Sequence, residues 1–171
     1  MKKYFFLASV VHLICLTSSG TTYTVTNTLD AGAGSLRQAM LDANAAFGTD
    51  VINFNIAGAA PYIITVTTAL PMLTDNGGVI IDGTSQPGYA VNTNIPVLSG
   101  LGLNGTPVIV INNGNVIPVG INIQSSYNII KGLVIQNFGD GTPSENDIGI
   151  FIHSTPPETT PAVTDESAAP K

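Results

Sequence analysis

Apolar residues recur along the chain in short period-two runs, separated by polar and glycine-rich stretches. The clearest runs are Gly120-Ile121-Asn122-Ile123-Gln124, Gly132-Leu133-Val134-Ile135-Gln136 and Gly149-Ile150-Phe151-Ile152-His153. Each reads glycine, aliphatic, any residue, isoleucine, polar, so alternate side chains go to one face of an extended strand. Earlier strands are expected at Thr22–Thr28, Val51–Ile56, Tyr62–Thr67, Val79–Asp82 and Val108–Ile111, all rich in β-branched residues. The runs follow too closely for βαβ crossovers, and no Asn-Gly hairpin turn joins the three clearest of them. Winding into a coil satisfies such a chain, each strand stacking on an earlier one at about 4.8 Å. The pattern therefore predicts a mainly β fold, a parallel β-solenoid. Its core is expected from Ile109, Ile111, Ile121, Ile123, Ile130, Leu133, Ile135, Ile148, Ile150 and Ile152.

One stretch changes period. Ser35-Leu36-Arg37-Gln38 fits a capping box, and Leu36, Met40 and Ala43 share an apolar helical face with Ala39 beside them. The helix is expected over 35–46, ending near Phe47-Gly48. Because the first coil of a solenoid exposes an apolar end and open strand edges, this helix reads as an N-terminal cap with Leu36, Met40 and Ala43 at its interface. Polar turns are expected at Asp75-Asn76-Gly77-Gly78, and a longer polar excursion from Gly83 to Pro96. Asn112, Asn113, Asn122, Asn128 and Asn137 cluster at strand exits, where stacked amides can bond to each other.

The ends differ from the middle. Lys2 and Lys3, the apolar run Tyr4–Leu16 and the small residues Thr17-Ser18-Ser19-Gly20 have the form of a secretory signal peptide cut after Gly20. The run is shorter than the roughly 20 residues a membrane span needs. From His153 onward, proline, threonine, serine and acids replace periodicity, which reads as a disordered tail. The organisation expected is a signal peptide at 1–20, cap strand and helix at 21–50, coils at 51–153 and a tail at 154–171. A solenoid stopping straight after a strand without a cap suggests an N-terminal module of something longer, or a truncated product.

Composition narrows the function. The lone cysteine, Cys15, lies in the leader, so the mature chain has neither a disulfide nor a thiol nucleophile. Beyond the leader the bases are Arg37, Lys131 and Lys171, against eleven acids in the chain. That balance opposes nucleic acid, whose binding rests on phosphate neutralisation. It opposes anionic membrane surfaces as well. Only 9% of residues are charged, against about 25% in typical domains, and the polar surface is Asn, Thr, Ser and Gly. Such a surface suits neutral partners such as glycans, in a secreted or cell-surface setting without membrane insertion.

The cap strand Thr24-Val25-Thr26-Asn27-Thr28, the segment Gly34-Ser35-Leu36-Arg37-Gln38-Ala39-Met40 with Asp42-Ala43-Asn44-Ala45, and Asp50-Val51-Ile52-Asn53-Phe54 together resemble a recurrent N-terminal region. It belongs to bacterial secreted right-handed parallel β-helix proteins, the pectin-lyase-like solenoids with a CSLREA-type cap. Val79–Gly88 and Ile130–Phe138 are similar to these proteins too, so the resemblance spans about residues 22–152. Gly34 and Gln38 stand where the named motif has cysteine and glutamate. The resemblance implies a right-handed parallel β-helix with a short N-terminal capping α-helix, in a surface or secreted protein of adhesin type.

Some pectin-lyase-like proteins are polysaccharide lyases or hydrolases. A hydrolase needs two carboxylates about 5–10 Å apart, and a lyase a base, usually with a cation to neutralise the uronate. The carboxyl candidates are Asp82, Asp140, Glu145 and Asp147; Asp82-Gly83 also reads as a simple strand-ending turn. The acidic loop Gly139–Asp147 could hold calcium through its oxygens, although it lacks the sixth-position glycine of a calcium loop. No other cofactor is expected. His153, without a cysteine or an acid beside it, makes a poor nucleophilic centre. The favoured expectation is a non-enzymatic module for adhesion or glycan contact; the alternative is a fragment of a polysaccharide lyase or glycoside hydrolase.

Overall fold

The computed structural model describes residues 19–94, 102, 104–139 and 147–153. Most of the leader (residues 1–18), the tail at 154–171 and the loop stretch 140–146 lie outside the described residues. The fold is mainly β, with parallel sheets and one α-helix among the described residues. Its strands are β1 (Thr22–Val25), β2 (Asp50–Phe54), β3 (Tyr62–Thr65), β4 (Val79–Asp82), β5 (Ile109–Asn112), β6 (Val119–Ile123), β7 (Ile129–Lys131), β8 (Leu133–Gln136) and β9 (Ile148–Ile152), and the helix is α1 (Leu36–Ala45).

The strands form three parallel sheets, ordered β1-β2-β4-β7, β3-β5-β8 and β6-β9. Leu73 adds a parallel bridge to Ile123, so the third sheet also begins one round earlier. From β2 onward the chain visits the first sheet, the second and the third in turn, three times over. Among the described residues β1 pairs with β2 across the intervening α1, and from β2 onward no strand pairs with the next one in the chain, as expected when no tight hairpin turn is available.

Alternation sets the burial. Ile52 and Phe54 of β2, Ile64 of β3, Val79 and Ile81 of β4, Ile109 and Ile111 of β5 and Ile121 of β6 are at most 1% exposed, and all belong to one core cluster. A buried aliphatic side chain of this size contributes roughly 1.5–3 kcal/mol. Leu36, Met40 and Ala43 are fully buried in the same cluster, with α1 packed on β1 and β2. Ser35 caps the helix: its Oγ accepts from the Gln38 N–H at 3.2 Å and donates to the Gly32 carbonyl at 2.7 Å. The reciprocal arm of the capping box is not made. Gln38 donates instead to Asp42 Oδ1 at 2.8 Å, and the Ser35 N–H bonds the Gly32 carbonyl.

The three glycine-led runs do not form one ladder. The first and third stack, with Ile121 opposite Ile150 and Ile123 opposite Ile152. The middle one lies in the second sheet, with Leu133 opposite Ile109 and Ile135 opposite Ile111. The cause is Gly132, whose φ of 68° turns the chain between β7 and β8. The two short apolar runs on either side of Lys131-Gly132 are thereby placed in different sheets. Gly83 lies in register beneath that corner, where an added Cβ would strike the Gly132 carbonyl.

The expected core also shifts toward the N-terminal side. Ile109, Ile111, Ile121 and Ile123 are buried, and Ile130, Leu133 and Ile135 are partly buried against the core. Ile150 and Ile152 are 41% and 69% exposed, since β9 has one neighbour, β6, among the described residues.

Candidate functional site

In the first round Arg37 and Asp30 are committed to one another. Arg37 Nη2 lies 2.6 Å from Asp30 Oδ1 and also donates to the Thr68 carbonyl, while Nη1 reaches the Ala69 carbonyl and Nε the Asp30 carbonyl. The second oxygen of Asp30 accepts from the Thr67 N–H and hydroxyl. Burial works to raise the Asp30 pKa, but the Thr67 and Arg37 hydrogen bonds outweigh it and hold the carboxyl below its ordinary range. Arg37 thus ties α1 to the corner after β3 and is spoken for.

Asp82 is likewise engaged. It caps the short 3-10 turn Gly83–Ser85 by accepting from the Thr84 N–H at 3.0 Å, and it meets Lys131, its in-register neighbour on β7, at 3.0 Å. Burial pushes its pKa up, yet the bonds from Thr84 and Lys131 bring it below the ordinary carboxylate value. As a strand-ending, paired carboxylate it has the wrong protonation for a general acid.

Of the acidic-loop candidates, Asp140 and Glu145 lie outside the described residues. Asp147 is exposed just before β9, its carboxylate close over Gly139: a Cβ there would come within 2.9 Å of Asp147 Oδ1. Among the described residues no three His, Cys, Asp or Glu side chains gather as a metal site would require. His153 follows β9, its ring 4.5 Å from that of Phe151 in edge-on contact and its N–H bonded to the Ile123 carbonyl.

The outer surface offers different chemistry. On the second sheet Thr65, Asn112 and Gln136 are successive register partners, forming a rank of neutral donors and acceptors one strand spacing apart. Thr65 and Gln136 are exposed and Asn112 half-buried. Asn137 extends the rank by donating to Asn112 Oδ1 at 2.7 Å, a stacked asparagine pair. The next outward-facing residue of β3, Ile63, two positions before Thr65, is 47% exposed and lines an open cleft of about 360 Å³. Thr26, Asn27, Thr28, Pro61 and Tyr62 also line it, and no charged side chain does. A neutral polar rank beside an uncharged cleft with a tyrosine and aliphatic wall can hydrogen-bond hydroxyls and cover the apolar face of a ring.

Two polar residues that direct the fold escaped the sequence reading. Gln86, in the expected loop, is 2% exposed, and Asp50, just ahead of the expected strand Val51–Ile56, is fully buried as the first residue of β2. Gln86 Oε1 accepts from the Ile56 N–H at 2.8 Å, and its Nε2 donates to the Ile56 carbonyl at 3.0 Å. Ser85 Oγ accepts from the Phe54 N–H nearby. Side chains here continue the pairing that the backbone of β4 leaves off. The only local signal was that Gln86 follows a capped turn directly after a strand.

No family model, curated protein or solved structure matches this chain. Among the described residues no helix is long and apolar enough to cross a membrane.

Proposed function

We propose that this chain is a module of a secreted or cell-surface protein, built as a right-handed parallel β-helix of the pectin-lyase-like kind. The short helix α1 caps its first round in the CSLREA manner, and its outer face makes non-catalytic contact with glycans. Support for the architecture comes from the strand order: from β2 onward three parallel sheets are visited in rotation, and no strand pairs with the next one in the chain among the described residues. The observation that carries the function is the in-register rank Thr65, Asn112 and Gln136 beside the uncharged cleft at Ile63 and Tyr62. Sugars present neutral hydroxyls at intervals along an extended chain, and a rank of amides and hydroxyls at the strand spacing can meet them with direct or water-bridged bonds. Such contacts are individually weak, so affinity comes from repetition along the face.

The test is a glycan-array and calorimetric binding screen on the chain from residue 21, run beside an assay for sugar release from polyuronates. Binding without release, weakened at least tenfold in a Thr65→Ala/Gln136→Ala variant that retains its melting temperature, is the expected result. Release of unsaturated or reducing sugars would transfer the chain to the polysaccharide-degrading enzymes. Absence of binding to every neutral and acidic glycan would remove the glycan reading.

A further inference from the structure

Asp50, the first residue of β2, is fully buried. Its Oδ1 accepts one hydrogen bond, from the backbone N–H of Thr21 at 2.6 Å. Its Oδ2 is buried with no hydrogen-bond partner among the described residues. The two ion pairs there, Arg37–Asp30 and Lys131–Asp82, leave it without a cation. A carboxylate withdrawn from water and given a single neutral donor is among the costliest groups a fold can bury.

Thr21 is also the residue that directly follows the small-residue exit Ser18-Ser19-Gly20. We propose that the Gly20–Thr21 bond is the processing site and that the new α-ammonium of Thr21 docks on Asp50, so that leader removal neutralises the buried carboxylate. The inference rests on the secretion reading above. Hydrolysis consumes one water, breaks the Gly20 C–N bond, and leaves a carboxylate on Gly20 and an ammonium on Thr21. A neutral N–H with one proton becomes a cationic group with three, enough to serve Oδ2 as well as Oδ1.

The surrounding backbone holds Thr21 in place for this. Its carbonyl accepts from the Val51 N–H at 2.8 Å, and the ladder with β2 begins at the next residue, Thr22 opposite Val51. The terminal nitrogen is therefore positioned by strand pairing and not by the leader. On the other side of the bond, a Cβ added to Gly20 would strike the Thr49 carbonyl. The unprocessed chain thus leaves the sheet by a path that only glycine fits, and cleavage releases that constraint.

Two measurements test the proposal separately. Intact mass and N-terminal sequencing of the product exported by a secreting host should show Thr21 first. A product retaining the leader would overturn the secretion reading, and one starting elsewhere would overturn the junction. Independently, the chain beginning at Thr21 is produced from a removable fusion, and half of it is acetylated on the α-amine. The acetylated form reproduces the single neutral N–H of the precursor. The free-amine form should melt about 5 °C or more above it, and its α-amine should acylate at least tenfold more slowly than that of a short peptide starting Thr-Thr-Tyr. Asp50→Asn should abolish the melting difference. If that variant does not fold, the comparison of free and acetylated chains still decides. Equal melting temperatures with peptide-like acylation would overturn the docking even if cleavage falls after Gly20.

Discussion

Replacing Gln86 by alanine should cost the fold far more than a loop substitution normally does. The carboxamide gives Ile56 one acceptor and one donor, at 2.8 and 3.0 Å, in the place where a paired strand would supply them. Ile56 is itself only 6% exposed, so water cannot readily take over either bond. Leaving a buried N–H and a buried carbonyl unsatisfied costs about 1–3 kcal/mol each. Loss of the side chain's packed methylenes adds about 1 kcal/mol. The expected loss is about 3–7 kcal/mol, a large share of the 5–15 kcal/mol typical of a domain. Gln86→Glu keeps the acceptor but turns an oxygen toward the Ile56 carbonyl. It should be as damaging at neutral pH and partly relieved in acid, where the protonated carboxyl can donate again. Urea unfolding followed by circular dichroism, with the slope checked for constancy, measures both. A Gln86→Ala variant within about 1 kcal/mol of the parent would refute the idea that this side chain substitutes for a strand.

Gly132→Ala should destabilise by about 2 kcal/mol or more, because a left-handed φ of 68° is combined with a Cβ only 2.6 Å from the Thr84 nitrogen; thermal melting checks it, and an unchanged midpoint would mean that the corner between β7 and β8 can relax. The depressed pKa values of Asp30 and Asp82 mean that their ion pairs contribute stability above the ordinary carboxylate value of 3.8, lost as pH falls through the lower folded values. Melting temperature should accordingly fall below about pH 4, and Asp82→Asn should flatten part of that fall, since an amide still accepts from Thr84 but no longer titrates.

Local chemistry explains which parts of this fold were legible. Val79–Asp82 was readable to the residue, because a compact β-branched run is bounded by Gly77-Gly78 and by Gly83. Helix α1 was readable because Ser35 and the apolar spacing of Leu36, Met40 and Ala43 are encoded within one segment. The break at Gly132 was half legible: the sequence shows a new run opening at that glycine, but not that its backbone angle sends β7 and β8 to different sheets. The candidate site was hardest to see. Thr65, Asn112 and Gln136 come from three different rounds, and only the register of the second sheet makes them neighbours. Gln86 and Asp50 share that difficulty, since each meets its partner about thirty positions away.

The rotation of the strands through three sheets has a kinetic consequence. Among the described residues every strand ladder joins residues separated by at least one full round, the nearest being Ile109 and Leu133. The one antiparallel contact among them is the single bridge Ala90–Thr106, so no strand pair can close early and stabilise the next step. Loop-closure entropy must be met before any sheet returns a reward, which places this chain among slow, millisecond-to-second folders. The exception is α1, whose bonds are local and whose apolar face then gathers β1 and β2. Folding should start there and advance one round at a time, giving the molecule a beginning and a direction, in the way a zipper closes from its fixed end.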